Sequence, residues 1–270
     1  MNAFIALVRK EYWENNKSLL WLPLVLTVLT WLCCLLIASK GVITIEGDIP
    51  KVNVLPFLAL PFFLSAGLAA ITYCGNSLNE ERRDRSILFW RSLPVSDMQT
   101  VMAKACTVLV LLPAISFLAA VIAQLPLALL MTHLGVQSFG EVLAALGKQA
   151  GHFLWLSVLM APFYGAMMLL SACTQRPLLW MLLGPLLLFI GESVLLDGHP
   201  VSQLLFGHLA REIMLVLGSL IAQPILVNGA ELVTTGAVLS TAWTMVTGVA
   251  LALIFWALCA EIRRRRLIKD

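Results

Sequence analysis

Charge is scarce in this chain: Asp, Glu, Lys and Arg together make up 12% of its 270 residues, against 60% hydrophobic residues. Soluble domains carry about twice that charge, so a soluble globular fold is excluded at the outset. Histidine is scarce too. There are four, none within a His-Glu-x-x-His pattern, and the six cysteines (Cys33, Cys34, Cys74, Cys106, Cys173 and Cys259) form no Cys-x-x-Cys pair. Zinc frameworks need such spacings, so the cysteines read as small apolar residues of apolar runs and no metal site is expected. A phosphate-cradling Gly-x-x-x-x-Gly-Lys-Ser/Thr loop is also missing, since Gly147-Lys148 lacks both the upstream glycine and the hydroxyl. The chain is therefore expected to bind no nucleotide and no cofactor by itself. A net charge of +3 is too small to suggest nucleic acid. Internal repeats, low-complexity tracts and a soluble domain are equally absent from the sequence.

Long apolar runs fill the space that charge leaves. Mean hydropathy is +0.92, and the pattern predicts an all-α polytopic membrane protein with six transmembrane helices. Phe4, Ile5, Leu7, Val8, Tyr12 and Trp13 share one side of a helical wheel, with Arg9, Lys10, Glu14, Asn15 and Lys17 on or beside the other. Residues 1–17 should thus form an amphipathic helix in the membrane interface. The first apolar run, Ser18 to Ser39, is long enough to span and is not read as a cleaved signal.

Spans are predicted at about 19–38, 54–73, 101–124, 153–173, 178–196 and 241–260. A turn or helical extension is expected around Pro126 to Gly135, and an interfacial amphipathic stretch over Ser138 to Gln149. Residues 198–240 are ambiguous, because His208, Arg211 and Glu212 interrupt the apolar run 204–222. With six spans, fourteen of the eighteen basic residues fall on one side and only Lys40, Lys51, Lys148 and Arg211 on the other. The positive-inside rule then puts both termini in the cytoplasm and makes 198–240 an outer amphipathic or re-entrant segment. Glu192 at the far end of the fifth span, with Arg211 and Glu212, is a candidate for a translocation path or outer gate. The tail 261–270, with Arg263 to Arg266, reads as a stop-transfer anchor, about 1 kcal/mol per basic residue near an anionic leaflet.

One dense charge cluster stands between two uncharged runs: Glu80-Glu81-Arg82-Arg83-Asp84-Arg85, followed by Ser86-Ile87-Leu88-Phe89-Trp90-Arg91-Ser92-Leu93-Pro94-Val95-Ser96. Each unpaired charge at a bilayer centre costs roughly 2.5–3.5 kcal/mol, so the cluster must stand in water. From Asp84 it reads as a short amphipathic helix that Pro94 stops, a shape suited to docking into a groove on a soluble partner or to lying on the lipid surface. The carboxylate-rich span end, the Asp-Arg-Ser-Ile-Leu-Phe-Trp run, Ser-Leu-Pro-Val-Ser and Lys104 resemble the permease subunits of type-2 ATP-binding-cassette (ABC) exporters. The amphipathic N-terminus and the six-span layout fit the same family, whereas Arg85-Ser86-Ile87 departs from its commoner Gly-Thr.

That resemblance implies a single permease domain over 1–270 with an elbow helix at 1–17. It also implies a cytoplasmic coupling helix within 80–97, between spans 2 and 3. The ATPase-coupling residues would be Glu80, Glu81, Arg83, Asp84, Arg85, Ile87, Leu88, Trp90, Leu93 and Pro94. ATP and Mg would sit on a separate ATP-binding subunit, and the permease would pair with a second copy or a paralogue in a bacterial inner membrane. Two other readings stay open. Glu80-Glu81-x-x-x-Arg85 matches the first motif of CAAX-type intramembrane proteases, but Phe-x-x-x-His and His-x-x-x-Asn/Asp are missing, as is a rhomboid-type serine and histidine pair. A non-transporting membrane scaffold or sensor subunit is the third.

Overall fold

In a bilayer no water is at hand for stray backbone groups, so an apolar chain must satisfy them within helices. The computed structural model describes residues 3–39, 55–83, 96–195 and 235–266, and these are helical, with no strand among them. In order they form α1 (Ala3–Glu14), α2 (Leu22–Ser39), α3 (Leu55–Arg83), α4 (Asp97–Cys106), α5 (Leu112–His133), α6 (Phe139–Leu159), α7 (Ala161–Cys173), α8 (Pro177–Leu195) and α9 (Thr235–Arg266). Among the described residues six stretches are long and apolar enough to cross a membrane: Leu19–Leu36, Phe57–Asn79, Asp97–His133, Phe139–Leu159, Pro177–Leu195 and Met245–Arg265. The six-span expectation holds at that level. Most of the expected coupling helix (84–95), Arg211 and Glu212, most of the outer segment, and the tail beyond Arg266 lie outside the described residues.

Element ends differ from the expected ones in places. Past Gln124 the third span continues as the helical extension, one of the two expected forms. It runs as one rod from Asp97 to His133, straight through Pro126. A proline removes one backbone hydrogen bond, but in an apolar setting leaving the helix would expose several more. The rod ends instead in a glycine-capped turn. Gly135 has φ 69°, its N–H bonds the Thr132 carbonyl at 3.2 Å, and the Val136 N–H bonds that of Met131 at 3.0 Å.

Ser138 to Gln149 does not lie apart in the interface. It is the first half of α6, which continues unbroken to Leu159; the break comes at Met160, just before Pro162. Its start is fixed by a capping box, in which the Ser138 hydroxyl accepts from the Glu141 N–H and the Glu141 carboxylate accepts from the Ser138 N–H at 2.8 Å. Val142, Ala145 and Gln149 are buried on the face toward α5.

Small residues bring the central helices together, as membrane packing without a hydrophobic drive requires. Ala69 and Ala70 of α3, Ala105 of α4, Ala161 and Ala172 of α7 and Ala252 of α9 are buried in one core cluster. A Cβ on Gly165 would stand 3.1 Å from that of Phe255, and one on Gly248 would stand 3.6 Å from Pro162 Cγ. Residue 162 therefore lies beside 248 and 165 beside 255, so α7 and α9 run in the same direction. A second cluster stacks Phe63 on Phe153 at 3.8 Å between α3 and α6. The outward faces of α2 and α8 remain apolar and exposed, as lipid-facing surfaces do: Leu35 and Leu187 are examples.

Candidate functional site at the basic end of the bundle

One end of the bundle gathers the charge that the sequence spends so sparingly. Here α1 lies against α4, and the link between them is a buried ion pair: Lys104 Nζ donates to Glu11 Oε1 at 2.8 Å, with 3% of each side chain exposed. The second Glu11 oxygen is taken by Tyr73 of α3, whose hydroxyl donates to Oε2 at 2.6 Å. One carboxylate thus ties three helices, and both its oxygens are satisfied, as burial of a charge demands. Leu7, one turn before Glu11, completes the buried stripe of α1, while Ile5 and Trp13 stay exposed. The Glu14 carboxyl, one turn beyond Lys10 and 3.5 Å from its ammonium, is raised above the usual range by partial burial, against the pull of that cation.

The same end clamps α9 and α3. Arg263 Nε of α9 stands 2.9 Å from Asp97 Oδ1, in the first turn of α4. Ser96 caps that turn: its hydroxyl accepts from the Gln99 N–H, and the Gln99 side chain accepts from the Ser96 N–H, each at 3.2 Å. At the end of α3, Asn79 Nδ2 donates to the Gln175 carbonyl at 3.1 Å, and the Ser171 hydroxyl accepts from the Leu78 and Asn79 N–H groups. Residues 84–95 therefore leave from a helix fastened to the α7–α8 turn and return into a helix fastened to α1 and α9. Both hinges of the charged segment are held.

Above this clamp lie two π-helical turns, Lys17–Trp21 and Thr107–Leu111. Each is followed, two residues on, by a proline, Pro23 and Pro113. A proline has no N–H for the carbonyl four residues back, so the ladder resets as a longer loop: Leu22 N–H bonds Lys17 and Leu112 N–H bonds Thr107. The carbonyl that Pro113 leaves open, Leu109, accepts the Ser157 hydroxyl of α6 at 2.5 Å. Thr107 itself bonds back to the Ala103 carbonyl at 3.0 Å.

Of the expected site residues, Glu80, Glu81 and Arg83 fall on the last turn of α3, which extends ten residues beyond the span end predicted at Tyr73. They belong to the end of α3 and lead into residues 84–95. Asp84, Arg85, Ile87, Leu88, Trp90, Leu93 and Pro94 lie outside the described residues. Glu192 is buried near the end of α8, 6% exposed, and is not a solvated span-end acid. Gly165 allows close approach of α7 to α9, whereas Gly67 has open space around it. Two of the four histidines, His133 and His152, lie among the described residues. His133 ends the rod that begins at Asp97, and His152 sits one turn past Gln149.

Sequence reasoning missed Glu11 and its pairing with Lys104. The signal was there: Glu11 shares the helical face of Leu7, a lone carboxylate on an otherwise apolar stripe. The capping signature Ser96-x-x-Gln99 was legible in the same way. No family model, curated protein or solved structure matches the chain. Function is read from the basic end and from the segment that it carries.

Proposed function

We propose that this chain is the permease subunit of an ABC exporter, forming a translocation path with a second copy or a paralogue and driven by a separate ATP-hydrolysing subunit. The observation that carries the reading is the clamped pair of hinges. A rigid mount for a charged, amphipathic segment at the basic end of a six-span bundle is what a lever needs. A force on residues 84–95 would pass through Ser96 and Asp97 into α9, and through Lys104 and Glu11 into α1 and Tyr73 of α3. The partner's open and closed states would then favour different packings of the spans, because a partner shifts an equilibrium only by its differential contacts.

In this reading α1 is the elbow helix, 84–93 the coupling helix, and 198–240 the outer segment. The basic end faces the cytoplasm of a bacterial inner membrane, and Mg-ATP is bound by the partner alone. Copurification from native membranes, with an ATPase assay in the presence and absence of the permease, tests it. A stoichiometric nucleotide-binding subunit should come with the wild type and be lost when Leu88 and Trp90 are changed to Asp. Unchanged copurification and ATPase activity in that double variant would sink the assignment.

A further inference from the structure

We infer that the cleft between α1, α4 and α9 at the basic end binds the headgroup of an anionic phospholipid. The cleft holds about 490 Å³. Its polar wall carries Lys10, Arg263 and Arg264 together with Asp97 and Glu261, and its apolar wall is built by Leu7, Met98 and Ala257. Charge around it is biased to the positive. Asp97 is answered by Arg263 at 2.9 Å, Glu261 by Arg265 at 2.6 Å, and Glu14 by Lys10 at 3.5 Å, which leaves exposed Arg264 as the surplus at the rim.

Depth decides the ligand class. Ala257 and Arg264 lie two turns apart on one helix, and Met98 opens the first turn of a span, so the cleft straddles the boundary between hydrocarbon and water. Met98 is 40% exposed, and Ala257 is exposed as well, so the cleft is open sideways where acyl chains run. A phosphate at the cations with a tail over the apolar wall satisfies both halves. A soluble anion would use only one half. Basic pockets between spans on the side of the anionic leaflet recognise headgroups by this combination. The inference does not require that an ATPase drives the chain.

Native mass spectrometry of the full chain in detergent tests it, with dioleoyl phosphatidylglycerol against dioleoyl phosphatidylcholine as probes. The wild type should retain the anionic lipid preferentially, and Lys10→Gln with Arg264→Gln should lower that preference roughly ten-fold. The charge-keeping pair Lys10→Arg with Arg264→Lys should hold it, as should Arg176→Gln at the other cytoplasm-facing turn; both guard against a folding artefact. Equal retention of the two lipids, or an equal fall in Arg176→Gln, would overturn the site. Displacement of bound phosphatidylglycerol by millimolar glycerophosphate would also overturn it, since the ligand would then be a free phosphate.

Discussion

A charge buried between helices stabilises only while its partner is present. Glu11 and Lys104 are each 2% exposed, and the carboxylate has no solvent to fall back on. Removing one partner, by Glu11→Gln or Lys104→Met, should cost about 3–5 kcal/mol. Tyr73→Phe deletes a hydrogen bond to a charged acceptor and should cost less, about 1.5–3 kcal/mol. Replacing both charges together, Glu11→Leu with Lys104→Met, should recover most of the loss, because the double change leaves no charge stranded. Thermal unfolding of the four purified variants in one detergent checks the order. If the double variant melts lower than either single one, the pair is not the unit of stability here. The individual residues were half legible in the sequence. A lone Glu on the Leu7 stripe and a lone Lys104 at the start of an uncharged run each announced a need for a partner, but only packing brought them together.

At the scale of elements, prolines at the same offset from two π turns make a local rule visible. Pro113 opens the Leu109 carbonyl and Ser157 closes it from another helix. Ser157→Ala should therefore cost about 1–2 kcal/mol in the wild type. In a Pro113→Ala background the restored N–H can take the Leu109 carbonyl, and the same substitution should be nearly neutral. The coupling energy of this double-mutant cycle, read from unfolding midpoints, should be about 1 kcal/mol or more; additivity would mean that the serine bond does not depend on the proline. Element existence was readable from apolar run length, since the first, fifth and sixth spans lie close to where hydropathy puts them. Element ends were not. Around Pro126 a turn and a helical extension were both open, and the helix continues through it because leaving the helix would strand backbone groups. Glu80 to Arg83 read as loop because they are charged, yet they form the last turn of α3.

For the whole molecule, two polar fastenings mark the Asp97–His133 rod. Lys104 bonds Glu11 at the basic end, and twenty residues later Gln124 forms a reciprocal amide pair with Gln149 at 3.1 and 3.2 Å. At 1.5 Å per residue the interval is about 30 Å, the thickness of a hydrocarbon core. No charged residue lies between them on the rod. The rod and α6 should then protrude beyond the lipid on the far side, ending in the turn 134–138. The ion pair of Arg263 with Asp97, the bond of Asn79 to Gln175 and the parallel course of α7 and α9 place the α7–α8 turn, α1 and the end of α9 at the opposite side together. In oriented vesicles of a cysteine-free variant, a membrane-impermeant maleimide should label Val136→Cys from one face only. Gln175→Cys and Arg265→Cys should both react from the other. Labelling of Gln175→Cys and Arg265→Cys from different faces would break the shared end on which the clamped hinges depend. Labelling of all three from one face would remove the six-span arrangement itself.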